Sequence, residues 1–214
     1  MTSSRPTSSI SGSGPGLFVV LPAESARRDV ADCIQAFLCG VHVAALLLPP
    51  LSETGSVERM EEICALAQHA GTAVLTHNVA DCRALQADGV HLRTRDGREV
   101  ARLRRQLGMD AIVGACCPGR RHLAMEMGEA GADYLGIDQR LEAGGENLLA
   151  WWAEMFTVPV VAMHPVAPQE APRVVRLGAD FLVPSPEIWH SAEDAERLAA
   201  EWARLLGQWQ DGGG

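Results

Sequence analysis

The chain has 214 residues, of which 47% are hydrophobic, and its 27 acidic and 18 basic side chains give a formal net charge of −9. This length suits one domain with a sizeable core rather than two domains. The negative charge repels phosphate groups and anionic lipid, which disfavours nucleic acid and membranes as partners. Because no apolar run reaches the roughly 20 residues that span a bilayer and no secretory signal is evident, we expect a cytoplasmic protein.

The first residues have a composition unlike that of the rest of the chain. Residues 1–16 consist almost entirely of Ser, Gly, Thr and Pro. Such a segment buries too little apolar surface to offset the entropy that ordering costs. We therefore expect a disordered tail over 1–16, a folded domain over 17–210 and a second flexible tail over 211–214.

Between these tails, short apolar runs alternate with amphipathic segments, a pattern typical of parallel strands joined by helices. Eight apolar runs are predicted to be strands: 17–21, 42–48, 73–76, 89–92, 111–115, 133–137, 158–163 and 180–183. Helices are predicted at 99–107, 120–130, 147–156, 169–177 and 192–206, with a weaker one at 80–87.

A short internal repeat indicates how these elements are arranged. The tripeptide Gly-Ala-Asp at 131–133 recurs at 178–180, and 88–92 is a looser copy of the same region. A glycine between a helix end and the next strand suits a turn that needs positive φ. The first strand is followed by Leu-Pro-Ala-Glu at 21–24, not by the glycine-rich loop of a Rossmann sheet. We therefore predict an α/β fold, a closed (β/α)8 TIM barrel forming a single domain.

Several motifs resemble those of the thiamine phosphate synthase family, which also includes a thiazole tautomerase. They are Ala-Asp-Gly-Val-His-Leu at 87–92, Ile-Val-Gly at 112–114 followed by Ala-Gly-Ala-Asp-Tyr-Leu-Gly at 130–136, and Val-Pro-Val-Val-Ala at 158–162 followed by Gly-Ala-Asp at 178–180. In order and spacing the resemblance covers about residues 17 to 207. It implies a barrel enzyme that joins a pyrimidine pyrophosphate to a thiazole phosphate with Mg²⁺.

Most of the polar residues that this resemblance implies are absent at the matching positions. The family's Gln-x-Arg-x-Lys pattern after strand two is matched by Ala-Leu-Leu-Leu-Pro at 45–49, and its Asn-Asp pair after strand three by His77 and Asn78. Asp96 is the weak remaining candidate for a metal ligand. Pro165 and Pro186 stand where the family holds phosphate with backbone N–H groups, which proline lacks.

From these departures we predict a divergent paralogue with a rebuilt pocket, which binds a small anionic or polar metabolite and lacks efficient synthase activity. Two alternatives remain open. One is a working thiamine phosphate synthase with an atypical site, and the other is a non-catalytic scaffold or regulatory protein. No cofactor is expected except Mg²⁺, and that only if the family activity is retained. The expected partner is a small-molecule ligand, with a homodimer as an additional option.

Candidate site residues are polar side chains at the ends of predicted strands, since a (β/α)8 barrel places its site there. Three are candidates for acid–base catalysis: His77, Asp138 and His164. Five are candidates for ligand binding: Arg93, Arg95, Arg140, Asn78 and Ser185. The arginines are included because guanidinium pairs well with phosphate and carboxylate. Their alternative role is ion pairing with acidic neighbours such as Asp96, Asp138 or Glu142.

Three further residues are harder to interpret. His91 lies inside a predicted strand, and we interpret it as a barrel-interior histidine that bonds to a neighbour. Cys116 and Cys117 end another strand, and the sequence leaves open which of them faces the pocket. No metal site is predicted, because no local ligand pair such as His-x-His or Cys-x-x-Cys is present.

Overall fold

The computed structural model describes residues 14–23, 30–54 and 56–210. Of the predicted N-terminal tail, residues 1–13 lie outside this part of the chain, as does the whole predicted tail at 211–214. No helix among the described residues is long and apolar enough to cross a membrane.

Ten strands are present in the described part of the chain. Their bounds are β1 Gly16–Val20, β2 Ala45–Leu47, β3 Ala73–Thr76, β4 Gly89–Leu92, β5 Ile112–Cys116, β6 Tyr134–Ile137, β7 Glu142–Ala143, β8 Glu146–Asn147, β9 Val160–Val166 and β10 Phe181–Pro184. Eight of them form a closed parallel barrel in the order β1-β10-β9-β6-β5-β4-β3-β2, with β2 closing onto β1. The predicted (β/α)8 barrel is confirmed.

Eight helices pack around the strands within the described residues. They are α1 Val30–Gly40, α2 Val57–His69, α3 Val79–Ala84, α4 Gly97–Leu107, α5 Arg121–Glu129, α6 Leu148–Met155, α7 Ala171–Val175 and α8 Ala192–Gln210. Each predicted helix is present, although several ends differ from the prediction. The last helix is four residues longer than predicted, ending at 210 instead of 206.

One element was not predicted from the sequence. β7 and β8 form a separate antiparallel hairpin between β6 and α6. Its turn is Gly144-Gly145, and both glycines have positive φ, at 68° and 82°. Two consecutive residues of positive φ make the tight turn that suits the twist of a hairpin. The Gly-Gly pair was therefore the signal that sequence analysis missed.

Large side chains fill the interior of the barrel because two strands carry glycine where they face it. A Cβ atom at Gly114 would lie 2.0 Å from the Tyr134 ring, and one at Gly136 would lie 2.7 Å from Met163. The interior cluster of buried apolar residues comprises Phe18, Leu47, Leu75, Tyr134, Val161, Phe181 and Val183. These residues close the middle of the barrel, so that only its two ends are open to ligands.

The Gly-Ala-Asp repeat joins neighbouring strands at the amino-terminal end of the barrel. The Asp180 carboxylate accepts a hydrogen bond from the Val160 N–H at 2.8 Å, while the Asp180 N–H donates to the Val160 carbonyl at 3.0 Å. Asp133 forms the same reciprocal pair with Val113, at 2.6 and 2.8 Å. Each aspartate therefore ties the start of its own strand to the strand beside it.

The looser third copy of the repeat makes the same contact. Asp88 accepts from the Val74 N–H and donates to the Val74 carbonyl, both at 2.8 Å. The glycine of Gly-Ala-Asp has positive φ in the other two copies, and here Gln86 stands at that position with φ 52°. The three copies therefore join β3 to β4, β5 to β6 and β9 to β10. They lie at every second strand of the barrel, so successive copies are two βα units apart.

This contact yields a prediction about stability. Asp180→Ala removes the acceptor of the Val160 N–H, and an unpaired backbone donor in a partly buried site costs about 1–3 kcal/mol. Asp180→Asn keeps an acceptor oxygen, so its free energy of unfolding should fall by less than half as much. Urea unfolding checks this, with Asp110→Ala as the control, because Asp110 is an exposed carboxylate before β5. Equal destabilisation by all three substitutions would contradict the role of the contact.

Candidate functional site

The predicted site residues lie at the carboxyl ends of the barrel strands, where they form two groups. The first group follows β3 and β4 and contains His77 and Arg93, above the buried His91. The second group contains Asp138 and Arg140, which follow β6, and His164, which lies in β9. The predicted barrel makes the ends of consecutive strands neighbours, but the contacts between these side chains are shown only by the structure.

Beneath the first group, three side chains form a hydrogen-bonded chain across the barrel interior. The Tyr134 hydroxyl lies 2.7 Å from His91 Nδ1, and His91 Nε2 lies 3.1 Å from Cys116 Sγ. His91 is 1% exposed, and its ring stacks on that of Tyr134 with an interplanar angle of 19°. The interpretation of His91 as an interior histidine bonded to a neighbour therefore agrees with the structure.

The partners of His91 indicate which ring nitrogen carries the proton. A buried hydroxyl hydrogen needs an acceptor, and His91 Nδ1 is the acceptor within reach of Tyr134. Tyr134 therefore donates to Nδ1, which leaves the proton on Nε2, directed at the Cys116 sulfur. In this arrangement the Cys116 thiol hydrogen is free to point toward the open end of the barrel.

Burial keeps these groups uncharged. Desolvation lowers the pKa of His91 to about 3, with smaller contributions from His77 and Arg93. The pKa of His77 is lowered by burial and by the nearby Arg93. Burial also raises the pKa of the Cys116 thiol, against the opposite effect of Arg93, and raises that of the Tyr134 hydroxyl. The interior is therefore neutral near pH 7, and Arg93 supplies the positive charge above it.

The two adjacent cysteines point to opposite sides of β5. Cys116 bonds to His91 inside the barrel, whereas the Cys117 thiol donates to the Arg120 carbonyl at 3.7 Å on the helix side. Successive residues of a strand face opposite sides of the sheet, so only one of the pair can face the interior. The open question is thereby settled in favour of Cys116.

The second group contains an ion pair that lies beside the end of β9. The Arg140 guanidinium donates to both oxygens of Asp138, at 2.9 and 2.6 Å. The hydrogen bond from Arg140 lowers the pKa of the Asp138 carboxyl, and His164 adds a smaller contribution in the same direction. Arg140 therefore makes the ion pair that was its alternative role, while Asp138 stays ionised and is a weak proton acceptor.

Several other candidates are engaged in local structure. Asn78 caps α3 by accepting from the Asp81 N–H at 2.8 Å. Asp96 caps α4 and binds the Arg98 side chain through both of its oxygens. The Ser185 hydroxyl donates to Glu187 at 3.3 Å, and Arg95 is exposed on the loop after β4. Their assignment to ligand binding remains a prediction.

The Mg²⁺ ion that the family resemblance implies does not fit the residues present. Both oxygens of Asp96 are occupied by Arg98, and both oxygens of Asp138 by Arg140. Among the described residues, no group of three His, Cys, Asp or Glu side chains could hold a metal ion. A hard cation prefers several free oxygen ligands, so we assign no step to this ion.

Two residues near the site were not among the candidates. Tyr134 orients His91, and buried Gln139 binds the backbone of His164. No local pattern identifies either residue, because their partners lie 43 and 25 positions away in the chain. A separate surface cavity lies between α1 and α8.

The chain is similar in sequence to known proteins of one family. The sequence model of the thiamine monophosphate synthase family matches residues 17–186. A thiamine-phosphate synthase of Erythrobacter litoralis (strain HTCC2594) is 35% identical over 185 residues, which are 81% of each chain. One of Rhodospirillum centenum (strain ATCC 51521 / SW) is 31% identical over 203 residues, covering 89% of this chain and 97% of the relative.

A solved structure supports the fold independently. Thiamine phosphate pyrophosphorylase from Pyrococcus furiosus superposes with a TM-score of 0.72 at 20% identity, covering 91% of this chain and 96% of that one. Such low identity supports the fold alone.

The sequence similarities overturn one prediction. The expected divergent paralogue without efficient synthase activity is wrong, because relatives named thiamine-phosphate synthase match most of the chain at 31–35% identity. The alternative of a working synthase is the better supported one. The prediction rested on departures at single strand ends, and the similarity over most of the chain outweighs them.

The lowered pKa of His91 predicts how stability depends on pH. An unfolded histidine takes up a proton below about pH 6.5, whereas folded His91 does so only near pH 3. The unfolded state therefore binds more protons in this window, and the free energy of unfolding falls as pH falls, by about 1 kcal/mol per pH unit for one such group.

We expect His91→Gln to flatten this dependence between pH 7 and pH 5, above the range in which most carboxylates titrate. Chemical denaturation at several pH values measures the slope. His42→Gln is the matched control, since it makes the same substitution at an exposed histidine before β2. An identical slope in the wild type and in His91→Gln would show that another group causes the dependence.

Proposed function

Because the chain belongs to the thiamine monophosphate synthase family, we propose that it is a thiamine-phosphate synthase. The reaction joins a pyrimidine pyrophosphate to a thiazole phosphate and releases pyrophosphate. The observation that carries this proposal is the similarity to relatives of that name over most of the chain. The structure supports it with a closed barrel whose polar side chains meet at the carboxyl ends of the strands.

Both substrates of this reaction are anions, and Arg93 is the residue best placed to bind one. Among the described residues Arg93 makes no ion pair, in contrast to Arg98, Arg104, Arg121, Arg140 and Arg197. Its charge already acts on His77 and Cys116, so its guanidinium lies near the mouth of the interior. We assign Arg93 to the departing pyrophosphate, where it stabilises the negative charge that develops as the bond breaks.

Arg140 is the second candidate for an anion, although it is bound to Asp138. Its side chain is 59% exposed, and exposed ion pairs contribute little to stability. A phosphate can therefore compete with Asp138 for the guanidinium at small cost. In this proposal Arg140 contacts the phosphate of the thiazole substrate from the side of β6 and β9.

The neutral groups below Arg93 suit the pyrimidine ring. His77 and Cys116 offer hydrogen-bonding atoms without charge, because burial disfavours the imidazolium and thiolate forms. A heteroaromatic ring with nitrogen acceptors can bind there without desolvating an ion. The pyrimidine then lies toward the barrel interior and its pyrophosphate toward Arg93, which aligns the reacting carbon with the open end of the barrel.

The activity is tested directly, with and without added Mg²⁺, on purified protein from a host that lacks its own thiamine-phosphate synthase. We expect thiamine phosphate and pyrophosphate to form in equal amounts from the two substrates, at multiple turnovers per enzyme. Chromatography measures the first product and a coupled assay the second. No product above the rate without enzyme, from protein that unfolds cooperatively, would refute the proposed function.

The role of Arg93 predicts a specific kinetic defect. Arg93→Ala should lower kcat/KM for the pyrimidine pyrophosphate by about 10²–10³, as loss of one contact to developing charge typically does. Arg93→Lys should recover part of this loss, because it keeps the charge and loses the guanidinium fork. Arg98→Ala is the matched control, since Arg98 also follows β4 and its side chain pairs with Asp96. Equal kinetics of Arg93→Ala and Arg98→Ala would reject this assignment.

A further inference from the structure

We propose that Gln139 is a positioning residue that fixes the end of β9, and with it His164, for the reaction proposed above. This inference rests on the proposed function. Gln139 lies two residues beyond the end of β6, in the loop that leads to the hairpin. Its side chain is buried, with 6% of the residue exposed, although glutamine is usually found at the surface.

The amide of Gln139 binds both backbone groups of His164. Its Nε2 donates to the His164 carbonyl at 2.8 Å, and its Oε1 accepts from the His164 N–H at 3.0 Å. The backbone pairing of β6 with β9 ends at Ile137 and Ala162. A primary amide has the donor and the acceptor of a peptide group, so Gln139 adds one further pair of hydrogen bonds after the two backbones have separated.

His164 needs such a partner because β9 bulges at this point. On the β10 side the register passes from Leu182 opposite Ala162 to Pro184 opposite Val166. Four steps along β9 therefore correspond to two along β10, and residues 163–165 form the bulge. Bulges interrupt the ladder and redirect side chains, and they are frequent beside active sites. Gln139 supplies the hydrogen bonds that a regular strand would have given to His164.

Gln139 is itself held by the segment that follows it. The Asn147 side chain donates to the Gln139 carbonyl at 2.7 Å and accepts from the Ala150 N–H at 3.1 Å, which caps α6. The Leu148 N–H also donates to the Leu141 carbonyl at 2.9 Å. A continuous set of hydrogen bonds therefore runs from the start of α6 through Gln139 to the bulge in β9.

The hydrogen bonds between Gln139 and His164 lie beside the second group of site residues. Asp138 and Arg140 precede and follow Gln139 in the chain, and His164 lies close enough to influence the ionisation of Asp138. Movement of the β9 bulge would therefore displace His164 relative to the Asp138–Arg140 pair. Displacements of about 1 Å from productive geometry can cost about 10²-fold in rate. Gln139 thus acts through His164 and needs no contact of its own with substrate.

The decisive substitution is Gln139→Glu, which keeps the size of the side chain and its acceptor. It removes the donor to the His164 carbonyl and places a carboxylate oxygen against that carbonyl. We expect kcat to fall by about 10-fold or more while the KM values change by less than about 3-fold, since positioning is lost and the charged groups remain. The matched control is Gln106→Glu, which makes the same chemical change at an exposed glutamine of α4.

A second measurement follows the backbone itself. Amide hydrogen exchange at His164 should accelerate in Gln139→Ala, which removes the acceptor of the His164 N–H, and should stay at the wild-type rate in Gln106→Glu. Loss of His164 protection in Gln139→Ala together with the specific fall in kcat of Gln139→Glu supports the proposal. Unchanged protection at His164 in Gln139→Ala, or a kcat within about 2-fold of the wild type in the folded Gln139→Glu protein, overturns it. So does a loss of kcat in Gln106→Glu that matches the loss in Gln139→Glu.

Failure of the proposed synthase function can be distinguished from failure of the Gln139 proposal. An inactive wild type refutes the proposed synthase reaction and removes the catalytic role of Gln139, whatever its variants do. The exchange experiment then still reports whether Gln139 holds the β9 bulge, because it needs neither substrate nor turnover.

Discussion

Three carboxylates hold neighbouring strands together at the amino-terminal end of the barrel, and the site at the other end depends on them. Asp88, Asp133 and Asp180 each bind the backbone of the preceding strand in the same reciprocal manner. Because hydrogen-bonding registers in a closed barrel are linked, fixing one end of a strand pair also fixes which residues face each other at the opposite end. The convergence of Arg93, Cys116 and Asp138 at the mouth follows from this constraint.

The same barrel separates neutral from charged groups along its axis. Gly114 makes room for the Tyr134 ring and Gly136 for Met163, and Tyr134 in turn binds His91. This places a polar but uncharged chain inside the barrel, where an isolated charge would be costly. Near the site, the positive charges of Arg93, Arg95 and Arg140 lie after β4 and β6, and all 18 basic residues of the chain are arginine. These three arginines were predicted from the sequence as ligand-binding residues, and that role remains a prediction.

Irregular structure at the mouth has its own physical basis. The bulge in β9 leaves backbone groups of His164 without strand partners, and a buried side-chain amide satisfies them. The hairpin between β6 and α6 keeps that amide in place through Asn147. A regular strand would have kept residues 163–165 in the ladder, so the bulge and the Gln139 hydrogen bonds belong to one arrangement.

The sequence by itself determined the strands, the helices and the closed barrel, because apolar periodicity and the Gly-Ala-Asp repeat are local signals. It also identified the strand ends that carry polar side chains, including Arg93 and His164. Only the tertiary structure decided that Cys116 faces inward, that Arg140 binds Asp138 while Arg93 makes no ion pair in the described chain, and that Asn78 and Asp96 cap helices. Tyr134 and Gln139 could not be found from sequence, because their roles consist of hydrogen bonds to residues 43 and 25 positions away. The register of the barrel fixes such pairings, and no short stretch of sequence reveals that register.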